Sequence, residues 1–274
     1  MSNARTKRLT RIAISATTFS FLGILVILEL AFGSVSQLLF NAVTGIGQLH
    51  FEVITKNLRY LVLGPPHRMG GIVLTLYLAG ISLVLAFVVG LIFGLMRNSA
   101  RPWIKYPAVA YIELIRGLPL IMVIFWFVFL LPKVFGYVID DVYNVIIAFV
   151  CFSGAYMAEI VRAGILSIGR GQMEAARSTG LTRAQAMIYI ILPQALKNMI
   201  PSFVNQFMSL TNDTSLAWFV GLFELTTVSS QVSNRVLIAP TEIFLFCAMI
   251  YFVICYSLSA ASRWLERKLR AGAR

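Results

Sequence analysis

Charged residues are scarce in this 274-residue chain. Only 12% of it is Asp, Glu, Lys or Arg, against 59% hydrophobic residues and a mean hydropathy of +0.83. A water-soluble domain needs about twice that charge to cover its surface, so a set of helices dissolved in lipid is expected instead. Histidine occurs twice, at His50 and His67, and cysteine three times, at Cys151, Cys247 and Cys255. The cysteines fall inside apolar runs without metal-ligand spacing, which reads as packing and argues against a metal framework. Neither a nucleophile with a neighbouring base nor a Gly-x-x-x-x-Gly-Lys-Ser/Thr phosphate loop is found, so the chain is not expected to be an enzyme. Acidic residues number 11 against 23 Lys and Arg, a net charge of +12. The basic residues flank apolar runs and form no stripe with interleaved aromatics, so nucleic acid is not an expected partner.

Six apolar segments are long enough to cross roughly 30 Å of hydrocarbon, near 12–32, 71–96, 107–131, 142–165, 195–221 and 241–262. The connections that begin with Arg5, Arg97, Arg162 and Arg263 together hold seventeen of the Lys and Arg; the alternate connections hold five, and Arg116 lies inside the third segment. That bias places both termini in the cytoplasm. The first segment is too long for a typical signal-peptide core and reads as a retained signal anchor. Glu29 within it is expected to snorkel to the outer interface. The following connection, 33–70, is long and half apolar, which suggests helices on the membrane surface. The division expected is an anchor and external connection over 1–69, a transmembrane domain over 70–265, and a basic tail over 266–274.

A polar stretch separates the fourth and fifth segments. Gly169 and Gly171 are expected to break the fourth segment, and Gln172 to Thr179 is rich in helix formers, with Glu174 expected in the first turn. Gly180 is suited to end that helix, and Thr182 to cap the next. Two short helices joined at a glycine make an L-shaped protrusion, and Ala175 and Ala176 keep one of its faces small enough for a partner to approach closely.

Glu174-Ala175-Ala176, Gly180, Ile190, Leu192 and Pro193 resemble, at every position, the EAA loop of membrane subunits of ATP-binding-cassette (ABC) importers. The likeness extends over about 70–265. Tyr111-Ile112-Glu113-Leu114-Ile115-Arg116-Gly117-Leu118-Pro119-Leu120 is similar to a signature of polar amino-acid permeases of the histidine-permease type. So are Ala155-Tyr156-Met157-Ala158-Glu159-Ile160-Val161-Arg162-Ala163-Gly164-Ile165 and Asp213-Thr214-Ser215-Leu216, although the lysine common before that aspartate is Asn212 here. Residues 120–127 most resemble glutamate/aspartate-type permeases. The resemblance implies an all-α, polytopic helix bundle with a five-helix type I importer core plus an N-terminal helix, in a bacterial inner membrane. It also implies a cytoplasmic ATPase dimer that binds ATP and Mg, a second permease subunit (the same or paralogous), an external solute-binding protein, and no cofactor in this chain. Glu174, Ala175, Ala176, Arg177, Gly180, Arg183, Ile190, Leu192 and Pro193 would then form the coupling segment.

Ionisable groups inside lipid cost about 2.5–3.5 kcal/mol each on insertion scales. Glu113 and Arg116 are three apart and suited to pair with each other, as are Glu159 and Arg162. Either pair serves as a register-setting ion pair or as part of a pathway. Pro119 is expected to bend its helix. Asn205 to Ser215 puts a polar run in the fifth segment, so that helix should line the pathway and break locally. Gln206, Asn212, Asp213, Thr214 and Ser215 are the candidate pathway residues. A secondary transporter or channel working without an ATPase is the alternative reading.

Overall fold

The computed structural model describes residues 52–237 and 240–271. The first expected span, Glu29 and His50 lie outside them. Helix α1 (Glu52–Leu63) leads into α2 (Gly71–Arg97). Next come α3 (Pro102–Arg116) and α4 (Leu120–Phe135), α5 (Asp141–Leu166) and α6 (Arg170–Ser178). The long α7 (Arg183–Val220) is followed by α8 (Leu225–Val236) and α9 (Pro240–Ala271). Among the described residues, α2, α5, α7 and α9 are long and apolar enough to cross a membrane, and α3 with α4 makes a fifth, bent candidate.

The bent pair corrects the expected straight span over 107–131. The axes of α3 and α4 differ by 108°. Pro119 has φ −65° and ψ 138°, extended backbone that caps α4, and the residue before a proline is biased away from helix. Gly117 and Leu118 therefore form a corner rather than a turn of helix.

The principal packing is α2 against α5. Ser82, Ala86, Gly90 and Gly94 recur every four residues along one buried stripe of α2. In lipid, tails are as apolar as leucine, so close approach of small residues supplies van der Waals contact that a hydrophobic effect cannot. A side chain at Gly94 would bring its Cβ within 2.6 Å of the Cβ of Val161. On the next flank of α5, Gly164 leaves room for Met199 of α7. One apolar layer gathers Leu78, Val123, Phe149 and Leu210, and a second gathers Ala86, Met157, Val161 and Met199. A third cluster joins Leu61 of α1 to Val228 of α8 and Ile243 of α9. Helix α1 is thus packed through Val53 and Leu61 into the α8–α9 side of the bundle.

Candidate functional site

At one end of the bundle lies a helical corner. Gly169 is the N-cap of α6 and Arg170 its first residue, so Gly171 sits inside the helix and Glu174 beyond its first turn, unlike the boundaries expected from glycine content. Gly180 closes α6 with φ +90°, the left-handed conformation that a side chain disfavours, and its N–H donates to the Arg177 carbonyl at 3.0 Å. Thr182 then opens α7 with a reciprocal cap: its hydroxyl accepts from the Gln185 N–H, and its own N–H donates to Gln185 Oε1 at 2.9 Å. Ala176 and Ala186 turn inward, while Glu174, Ala175, Arg177, Arg183, Ile188 and Tyr189 face out.

The second arm is not a short helix. From Arg183 the chain stays helical for 38 residues, through a π segment at Met187–Ile191 and on to Val220. Pro193 directly follows that widened turn; its ring nitrogen has no proton for the preceding carbonyls, and the π register absorbs the mismatch. Ile190 and Leu192 are half-buried at this junction.

Farther along α7, a cavity of about 810 Å³ opens between α5 and α7. Arg116, Tyr156, Glu159, Lys197, Ser202 and Gln206 contribute to its lining. Glu159 anchors a charged network. Its Oε1 accepts two hydrogen bonds from Arg162, at 2.8 and 2.5 Å. Arg97 Nη1 lies 3.3 Å from Oε2 and Arg116 Nη1 lies 3.9 Å from the same oxygen. Glu113 does not pair with Arg116 as its spacing suggested. It accepts at 2.8 Å from Arg97, the last residue of α2, against which α3 packs. Glu159 and Arg162 pair within their helix as expected.

The remaining pathway candidates sit elsewhere. Asn212 to Ser215 are about 9 Å or more beyond Gln206 along the α7 axis and do not line the cavity. There the α-helix gives way to a 3-10 segment, Thr214–Val220. Thr214 is buried and donates to the Thr211 carbonyl at 2.7 Å; Asn212 is exposed, and Asp213 and Ser215 are half-buried. Asn212 Oδ1 accepts from the Cys255 thiol at 3.3 Å, tying α7 to α9.

Sequence reasoning missed Glu224. It is fully buried and caps α8, accepting from the Thr226 and Thr227 N–H groups at 2.7 Å each. The Thr227 hydroxyl donates to it at 2.9 Å and Tyr251 of α9 at 3.2 Å. Burial pushes this carboxyl above the usual range, and the four donors pull it partly back. Glu224→Ala would leave buried donors without a partner and is expected to destabilise the protein by about 2–3 kcal/mol. Unfolding in detergent measures it; an unchanged midpoint would show that the cap is dispensable.

Residues 86–271 match the model of a family described as binding-protein-dependent transport system inner membrane component. The chain is 42% identical over 200 residues to the probable glutamine ABC transporter permease protein of Bacillus subtilis, spanning 72% of this chain and 90% of that one. It is 35% identical over 210 residues to a glutamate/aspartate import permease protein of Escherichia coli O6:H1, spanning 74% and 93%. Among solved structures, it superposes on a chain of an amino acid ABC transporter crystallised with histidines, with a TM-score of 0.72 and 32% identity. That match covers 80% of this chain and 99% of the other.

Proposed function

Since the chain belongs to the family of inner-membrane components of binding-protein-dependent transport systems and is a permease subunit of an amino-acid ABC importer, with ATP hydrolysis in a separate subunit, we propose that it carries glutamate or aspartate through the α5–α7 cavity in response to movement of the Glu174–Pro193 corner. The observation that carries this reading is α7 itself. One continuous run of helix starts at the corner, passes the cavity at Lys197 to Gln206, and carries the polar Asn212 to Ser215 segment before ending at Val220. A docked ATPase that displaces the corner therefore moves a wall of the cavity without any intervening loop. Glu174, Arg177 and Arg183 are exposed for contacts with that ATPase, and Ala175 lets its surface approach the backbone.

In this reading the corner and both termini face the cytoplasm. The opposite end receives cargo from an external binding protein, and a second permease subunit completes the pathway. A cavity of about 440 Å³ at that opposite end, bordered by Arg68, Asp140 and Asp141, offers charges of both signs to the docking protein.

The acidic cargo is supported by charge. Arg116 and Lys197 line the larger cavity, whereas its one carboxylate, Glu159, is already hydrogen-bonded to Arg162. The test is uptake of radiolabelled amino acids into proteoliposomes holding permease, ATPase and binding protein. ATP-dependent glutamate uptake is expected, and uptake driven by an ion gradient alone, without the ATPase, would overturn the importer mechanism. In the same assay Lys197→Gln is expected to lower the preference for glutamate over glutamine by about tenfold, the worth of one charged hydrogen bond. An unchanged ratio would remove Lys197 from cargo selection.

A further inference from the structure

Three guanidinium groups surround two carboxylates where α2, α3 and α5 meet. Arg162 is satisfied by two hydrogen bonds to Glu159. Arg97 is shared, at 2.8 Å from Glu113 and 3.3 Å from Glu159. Arg116 is the surplus charge. Its nearest carboxylate oxygen is 3.9 Å away, beyond hydrogen-bonding distance, and belongs to a group that Arg162 already holds. Among the described residues it has no side-chain hydrogen bond, yet it is not adrift. Its guanidinium carbon lies 5.4 Å from the centre of the Tyr156 ring, which orients the planar fork, and it lines the cavity beside Ser202 and Gln206.

A planar fork without hydrogen-bonded partners, held on an aromatic face in a cavity of small-molecule size, suits two parallel hydrogen bonds to a carboxylate. We propose that Arg116 is the binding residue for the α-carboxylate of the transported amino acid. An incoming carboxylate displaces only the loose 3.9 Å contact, so no existing hydrogen bond has to break. The α-carboxylate meets an excess of one positive charge in the cluster, which favours placing that end of the zwitterion at Arg116 where lipid limits screening. Every α-amino acid carries this group, so Arg116 selects the chemical class and leaves the side chain to other residues. That division would let one permease architecture serve relatives named for glutamine and for glutamate and aspartate.

The inference rests on the cavity lying on the transport path, and its test separates the two ideas. Binding of L-glutamine, L-glutamate and the α-amide of each is measured by equilibrium dialysis on the purified permease–ATPase complex, without binding protein. The intact complex is expected to favour each acid over its α-amide by about 10- to 100-fold, the worth of a charge-assisted pair of hydrogen bonds. In Arg116→Gln that ratio should fall close to one, and Arg116→Lys should retain part of it. A fold defect would weaken acid and amide alike and leave the ratio standing. Equal binding of acid and α-amide by the unmodified complex overturns the assignment even if no variant folds, and so does a full ratio in Arg116→Gln. A preference for glutamine over glutamate, with the ratio still dependent on Arg116, would refute the acidic cargo and leave the anchor intact.

Discussion

Gly180→Pro is expected to abolish ATP-driven uptake while the protein still reaches the membrane at normal levels. Gly180 holds φ at +90°, and a proline ring fixes φ near −65°, so the chain cannot turn between α6 and α7 as it does. The substitution also removes the N–H that donates to Arg177, and it biases Thr179, the C-cap of α6, away from its φ of −85° and ψ of 7°. Together these effects cost roughly 3 kcal/mol or more, enough to refold an exposed corner. The spans are untouched, because a Cβ at Gly180 would meet nothing within 4 Å. Gly180→Ala isolates the left-handed strain, about 1 kcal/mol, and is expected to keep part of the activity. Uptake and ATP hydrolysis are measured in the same vesicles; hydrolysis without uptake is the expected signature, and full uptake by the proline variant would disprove the coupling role.

Gly94→Val is expected to fail earlier, at assembly. Its Cβ would stand 2.6 Å from the Val161 Cβ and 2.8 Å from the Ala158 carbonyl oxygen, so α2 and α5 must separate along their whole contact. Overpacking of this kind costs about 1–3 kcal/mol, a serious loss where close contact is the main attraction between the helices. The damage spreads, because Arg97 lies one turn beyond Gly94 and reaches Glu159 across the same seam. The variant should show a lower unfolding midpoint in detergent and poor accumulation in the membrane. A wild-type midpoint would mean that the seam tolerates a wider gap than its geometry indicates.

Much of this architecture was readable in the chain. Apolar runs located α2, α5 and α9 to within a few residues at most of their boundaries, because lipid enforces length and composition together. Gly180 and Thr182 were recognised from capping chemistry, which is local and needs no knowledge of the rest of the fold. The small-residue stripe from Ser82 to Gly94 was equally visible at four-residue spacing, though it went unread.

What stayed hidden depends on distant partners. Three-residue spacing suggested Glu113 with Arg116, but the packing of α3 against α2 gives Glu113 to Arg97. Glu224 gave no signal, since its donors include Tyr251, 27 residues away, and its burial is a product of packing. The polar run from Asn212 to Ser215 was expected to line a pathway along with Gln206, and of these only Gln206 borders the larger cavity. A helix rises only about 1.5 Å per residue, so six residues were enough to part them.

The connection between the start of α2 and the start of α8 bears on how such a chain is made. The Gly71 N–H donates to the Phe223 carbonyl at 2.7 Å, and the Leu225 N–H donates to the Thr75 hydroxyl across 150 residues of sequence. During synthesis α2 emerges with those groups waiting, and they stay open until most of the chain has followed. A ribosome-bound fragment ending before Phe223 should therefore hold α2 and α5 together yet leave the Gly71 amide open to hydrogen exchange, and release of the full chain should close it. The last step of biogenesis would then be the fastening of two segments made far apart in time.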